Sequence, residues 1–193
     1  MKNIAIFVSG GGTDMQSVID GVKSGQINGK IKLVVANKDN IYALTRAKNE
    51  GIQSKVFKIK DYESIEKRDE AILDELISNN IDLVVLAGYL SIVTPIIVDK
   101  FRDRIINIHP SLIPKFCGKG FYGLKVHEAV IKAKETESGC TVHYVDEGAD
   151  TGKIIEQVKV PVYTTDTAEI LQDRILKEEH ILLPKIVAML CED

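Results

Sequence analysis

Short apolar runs alternate along this chain with stretches in which apolar residues recur every three or four positions. Ile4-Ala5-Ile6-Phe7-Val8 is an unbroken apolar run and reads as a strand buried on both faces. Helix signals follow it: Thr13 with Gln16 fits a capping box, and Met15, Val18, Ile19 and Val22 fall on one helical face. The alternation repeats with a strand over 32–36, a helix over 42–50, a strand over 55–59 and a helix ending near Asn79-Asn80. That helix carries the stripe Ile65, Ile72, Leu73, Leu76 and Ile77. Strands at 83–86 and 104–108 close the series. Repeated strand, helix, strand predicts parallel strands joined by right-handed crossovers, with helices on both faces of the sheet.

After residue 110 the pattern changes. Residues 115–123 are glycine-rich and aromatic without a period, so they read as a loop, and 125–134 reads as a helix. Two strands, 140–145 and 153–160, are joined by Asp146-Glu147-Gly148-Ala149-Asp150-Thr151-Gly152. So short a link favours an antiparallel pair. The last helix is expected to start at Asp166, with Glu169 as its cap partner and Pro184 kinking or restarting it. The expected fold is a single-domain, doubly wound α/β protein over residues 1–193, its sheet mostly parallel, with antiparallel C-terminal strands and a long C-terminal helix.

Composition narrows the function classes. A net charge of −3 argues against a nucleic-acid partner, which needs a basic face. It leaves room for a small anion, because a few backbone amides suffice to hold a phosphate. The opening apolar run is too short for a membrane span or a signal core, which points to a cytoplasmic protein. Cys117, Cys140 and Cys191 form no disulfide framework, and the four histidines are not clustered as ligands, so no metal is expected.

Four places carry chemistry. Ser9-Gly10-Gly11-Gly12-Thr13-Asp14 lies between the first strand and first helix, where a helix N-terminus offers free N–H groups to an anion. Met15 stands where a dinucleotide fingerprint needs its third glycine, and no Lys-Ser/Thr follows, so the loop signals phosphate or carboxylate without a nucleotide motif. Asn107 and His109, two apart on a strand, project from one face. Asn is depleted in strands and costly to bury unpaired, so Asn-Ile-His-Pro ending an apolar strand stands out. An amide beside an imidazole suits acyl transfer: one binds an oxyanion while the other exchanges a proton. Asp150 reads on its own as a turn former and gains a role only if folding brings it to His109. Glu179 interrupts the apolar row Leu171, Ile175, Leu182, Ile186, so it sits at an edge or meets a ligand hydroxyl or amine. His143, between Val142 and Tyr144, reads as a structural histidine.

Over nearly its whole length the chain resembles the phosphoribosylglycinamide formyltransferases, a folate-dependent family of purine synthesis. The resemblance lies in Val8-Ser9-Gly10-Gly11-Gly12-Thr13, in Leu83-Val84-Val85-Leu86-Ala87-Gly88-Tyr89 and in Ile106-Asn107-Ile108-His109-Pro110-Ser111-Leu112-Ile113-Pro114. It continues in Gly139-Cys140-Thr141-Val142-His143-Tyr144-Val145, Asp150-Thr151-Gly152 and Glu178-Glu179-His180. It implies 10-formyltetrahydrofolate as formyl donor and the amine of glycinamide ribonucleotide as acceptor. Asn107, His109 and Asp150 match the catalytic trio, and Gly12, Thr13 and Asp14 the phosphate loop. Leu90, Ser91, Ile92 and Val93, with Asn107, match the folate site, and Glu179 an acid that contacts the acceptor. The implied division places phosphate binding in residues 1–100, catalysis and folate binding in 101–193, and small molecules as the only partners of a monomer or homodimer. The chain departs from the pattern at Asp14, where Asn is usual, at Ile65 and Ser91, where Arg is frequent, and at Leu176, where Gln is frequent. The loop from Phe116 to Gly123 is longer than usual, and Lys119 and Tyr122 on it are candidates to replace lost contacts. Readings that compete with this one are formyl transfer to another amine, a hydrolase using water as acceptor, and a non-catalytic folate- or nucleotide-binding module.

Overall fold

The structure, a computed structural model, describes residues 1–192. In chain order the elements are β1 (Lys2–Val8), α1 (Thr13–Lys23), β2 (Gly29–Ala36), α2 (Tyr42–Asn49), β3 (Ser54–Val56) and α3 (Ile65–Ser78). They continue with β4 (Leu83–Leu86), α4 (Pro95–Lys100), β5 (Ile105–His109), α5 (Leu124–Lys132), β6 (Glu137–Tyr144), β7 (Ile154–Pro161) and α6 (Ala168–Glu192). One seven-stranded sheet runs β3-β2-β1-β4-β5-β6-β7. The first five strands are parallel, whereas β6 and β7 pair antiparallel, as the short link between them requires.

Alternation along each strand divides the apolar side chains between two faces. Ile4, Ile6, Val8, Val34, Val85, Ile106, Ile108 and Val142 pack with Met15, Val18, Leu171, Ile175 and Leu183 from α1 and α6. Ala5, Phe7, Leu33, Val35, Val84 and Ile105 pack on the other face with Ile72 and Leu76 of α3 and Ile97 of α4. Leu76 is fully buried, which contributes about 1.5–3 kcal/mol.

Several local details differ from the sequence pattern. Thr13 does not cap α1: Gly12 holds the N-cap position at φ 73°, without a side-chain cap bond. A Cβ there would lie 2.7 Å from the Ala43 Cβ, so glycine is required by both conformation and space. At α6 the capping oxygen is Thr167 Oγ1, which accepts the Ile170 N–H, while Asp166 binds Arg174 instead. Pro184 lies buried within α6, and the helix continues through it. The buried face of α3 is Arg68, Asp69, Ile72 and Leu76, with Ile77 of the expected stripe half exposed. The expected third strand ends at Val56, and a 3-10 turn over Ile59–Asp61 follows.

Candidate active site

Strand order reverses between β1 and β4, so the loops that follow β1, β4 and β5 meet at the carboxyl edge of the sheet. Ligands of open α/β sheets bind at such an edge. Ser9 Oγ accepts the Leu90 N–H at 2.8 Å and so ties the first two of these loops together.

Asn107 and His109 share a face with Ile105, the face on which α3 and α4 pack. Farther along β5 the neighbours are loop residues instead. His109 is buried, with Nε2 2.9 Å from the Phe116 carbonyl and Nδ1 3.6 Å from Asp150 Oδ2. Asp150 sits at φ 58°, and its Oδ2 accepts the Gly118 N–H at 2.8 Å. Folding therefore brings Asp150 to His109, the condition its role depended on.

His143 is a residue whose part the sequence pattern missed. It is the cross-strand partner of Asn107 in the β5–β6 register. Its Nδ1 lies 2.7 Å from the Tyr144 carbonyl, which only accepts, so Nδ1 carries the proton. In the neutral ring Nε2 is then an acceptor, and Asn107 Nδ2, 3.1 Å away, donates to it. This fixes the amide: nitrogen toward His143 and Asp150, the latter 3.4 Å from Nδ2. The signal available in sequence was the alternation that puts His143 on the same sheet face as Asn107 once β5 and β6 pair.

Charge follows from this packing. Burial lowers the His109 pKa below its usual value, partly opposed by the Phe116 carbonyl and the Asp150 charge, so His109 is neutral near pH 7. Burial acts to raise the Asp150 pKa, but the neighbouring His143 and His109 rings and the Gly118 amide outweigh it, and Asp150 stays ionised.

After β1, Gly12 lies against Ala43 of α2, and Thr13 and Asp14 open α1, with Asp14 near His180 of α6. Asp14 Oδ1 is buried without a hydrogen-bond partner among the described residues, 3.6 Å from His180 Nε2. Burial pushes the Asp14 pKa up to about 6. Glu179 is buried on the same side, and its pKa is raised well above the usual range by burial and then by the Asp14 charge. His180 offers no compensating charge, because burial and then Arg46 lower its pKa. Arg46 itself is turned to the Gly11 carbonyl and Gln16.

A rise from 3.8 to about 6 corresponds to about 3 kcal/mol. The folded state holds this proton more tightly than the unfolded chain, so stability falls as pH rises from about 4 through 6, and the whole cost is present at pH 8. Asp14→Asn is expected to raise stability at pH 8 by about 1–3 kcal/mol and by progressively less as pH falls toward 4. Urea denaturation of both proteins across that range measures it; an equal gain at every pH would mean that burial of the charge is not the cause.

Leu90 and Ile92 are 53% and 72% exposed, so the expected folate segment presents apolar side chains outward. Ser91 is held by Asn37, Nδ2 to Oγ 2.7 Å. In the 116–123 loop Lys119 is exposed, and Tyr122 accepts from Lys125. Among the described residues no group of three or more His, Cys, Asp or Glu is arranged to hold a metal ion, and no helix is long and apolar enough to cross a membrane.

The sequence profile of the formyl transferase family matches residues 2–187. A phosphoribosylglycinamide formyltransferase of Haemophilus influenzae is 41% identical over 192 residues, covering 100% of this chain and 88% of that protein. The chloroplastic phosphoribosylglycinamide formyltransferase of Vigna unguiculata is 43% identical, and the chain spans 62% of its length. Among solved structures, glycinamide ribonucleotide transformylase 1 from Symbiobacterium toebii superimposes with a TM-score of 0.94 at 37% identity, covering 100% of this chain and 88% of that one.

Proposed function

The chain belongs to the formyl transferase family, and from that premise we propose that it moves the formyl group of 10-formyltetrahydrofolate to the amine of glycinamide ribonucleotide. The products are formylglycinamide ribonucleotide and tetrahydrofolate, a step of de novo purine synthesis. The observation that carries this reading is the convergence of Asn107, His109 and Asp150, from β5 and from the β6–β7 connection, at the carboxyl edge of the sheet. Simple binding of a folate or a nucleotide does not call for a carboxylate set between an amide 3.4 Å away and an imidazole 3.6 Å away.

In the proposed mechanism the neutral amine attacks the formyl carbon, and the carbonyl oxygen gains negative charge. Asn107 Nδ2 gives one hydrogen to His143 and points the other at Asp150 Oδ1, 3.4 Å away; that longer contact is the one a charged oxygen displaces to receive the second hydrogen. His109 is neutral and takes up no proton in the step; with Nδ1 beside the Asp150 carboxylate, it acts as a neutral donor to the developing charge. Its Nε2–H, held by the Phe116 carbonyl, is the donor for which a formyl oxygen competes. Asp150 accepts the proton from the attacking nitrogen and, through water, delivers it to the departing folate nitrogen. Holding both reactants side by side supplies much of the acceleration.

Gly12 and Thr13 offer backbone amides at the start of α1 to the acceptor phosphate, with Asp14 and Glu179 beside them. Leu90, Ser91, Ile92 and Val93 form a wall of the folate site. The continuous sheet supports one domain rather than two: His180 comes within 3.6 Å of Asp14 from the far end of the chain, and the folate wall lies before residue 100. The test is to incubate purified protein with 10-formyltetrahydrofolate, with and without glycinamide ribonucleotide, following deformylation and formate release. Acceptor-dependent turnover is expected. Formate release without acceptor would replace transfer with hydrolysis, and absence of turnover would leave binding alone.

A further inference from the structure

We propose that Arg68 and Asp69 form a buried clamp that fixes the backbone of residues 90–94, and through it positions the wall of the formyl-donor site; the assignment of that wall rests on the proposed function. Arg68 and Asp69 are consecutive residues on the core-facing side of α3, 2% and 0% exposed. The guanidinium gives Nε and Nη2 to Asp69 Oδ1, at 2.8 and 2.6 Å, and Nη2 also donates to the Ile92 carbonyl at 2.6 Å. The other carboxylate oxygen, Asp69 Oδ2, accepts the Thr94 N–H at 2.7 Å. The pair thus holds two backbone groups, one on each side of Val93.

These groups need partners from elsewhere. Residues 90–94 belong to no helix or strand, so their peptide groups have no ladder to satisfy them. The segment is held at three levels: Leu90 N–H by Ser9 Oγ, the Ser91 hydroxyl by Asn37, and Ile92 with Thr94 by the clamp. Its large side chains, Leu90 and Ile92, stand outward from this fixed backbone. A rigid backbone presenting exposed apolar side chains is a preformed surface for a flat, largely apolar ring system.

The choice of a charged pair is informative. A buried ion pair gives no more stability than apolar residues of similar volume, and the next α3 residues on this side are Ile72 and Leu76. Apolar side chains at 68 and 69 would fill the space and leave the Ile92 carbonyl and Thr94 N–H without partners. The geometry also rules out a direct role: with 2% of its surface exposed, Arg68 does not reach out to bind an anionic ligand tail. It is a positioning residue.

The test compares Arg68→Met and Arg68→Lys with the parent protein. Arg68→Met is expected to raise KM for 10-formyltetrahydrofolate by about tenfold or more. Its kcat and its KM for the acceptor are expected to stay within about threefold. Arg68→Lys, which keeps the charge but cannot fork between Asp69 and Ile92, is expected to fall between the two. A variant with all three constants unchanged, or with all three worsened in parallel, overturns the clamp. Should Arg68→Met not fold, Asp69→Asn keeps an acceptor for Thr94 while losing the charge, and the same selective rise in folate KM is expected of it. Hydrogen exchange gives a reading independent of activity: faster exchange at the amides of 90–94 in the variants supports the clamp, and unchanged exchange overturns it. A parent protein that exchanges as described yet turns over neither substrate would refute the formyl-transfer reading and leave the clamp standing.

Discussion

Replacing Asn107 with alanine is expected to lower kcat by about 10²–10³-fold while leaving the Michaelis constant for the acceptor within about threefold. The amide nitrogen is the neutral donor aimed into the site: His143 takes one of its hydrogens at 3.1 Å, and the other, directed at Asp150 Oδ1 over a longer 3.4 Å, is the one the oxygen that gains charge during attack takes over. Such a donor matters far more to the transition state than to the ground state, because a neutral formyl oxygen accepts weakly and an oxyanion strongly. The loss therefore falls on turnover rather than on binding. Steady-state kinetics in both substrates, with a circular dichroism spectrum to check folding, measures it. Near-normal turnover would remove Asn107 from the reaction. A loss confined to KM would make it a binding contact only.

Asp150→Asn is expected to depress kcat by about 10²–10⁴-fold, the range for removal of a positioned acid–base group. The substitution keeps an oxygen to accept the Gly118 N–H, so the connection between β6 and β7 has reason to hold its shape. What disappears is the charge. Asp150 is held ionised below its usual range despite burial, so it is available as a proton acceptor throughout the neutral region. Its charge also raises the pKa of His109 against the stronger effect of burial. Without it the His109 pKa moves lower still, so the pH–rate profile of the variant should lose any limb due to Asp150 and shift the His109 limb toward acid. A variant with parental kcat and an unshifted profile would show that the carboxylate takes no part.

The sequence pattern carried the architecture well wherever an element packs on both of its sides. β1, with Ile4, Ile6 and Val8 toward one layer and Ala5 and Phe7 toward the other, is apolar throughout because helices cover both faces. It carried less at helix termini. Thr13 and Asp166 are both good cap residues, but the position is taken by Gly12 in one case, where Ala43 presses against the turn, and by Thr167 in the other, where Arg174 draws Asp166 away. On α3, periodicity favoured Ile65 and Ile77 over Arg68 and Asp69, since charged residues are seldom fully buried. Here a segment with unsatisfied peptide groups lies against the helix, which no count along the chain reveals.

The site divides in the same way. Asn107 and His109 were legible because two polar side chains end an apolar strand, and strand alternation by itself places them on one face. Asp150 was legible only through resemblance, because nothing in its local sequence distinguishes it from a turn former. Its place beside His109 depends on β6 pairing antiparallel with β5 and on the left-handed backbone at Asp150 itself. His143 and Arg68 depended on tertiary structure altogether. The sequence alone therefore determined which strands exist, which faces they bury and where the reactive pair projects, since these follow from local periodicity. Only the tertiary structure decided the proton positions, the neutral state of His109 and the partners of Asn107 and Asp14, since these follow from burial and from contacts between residues remote in the chain.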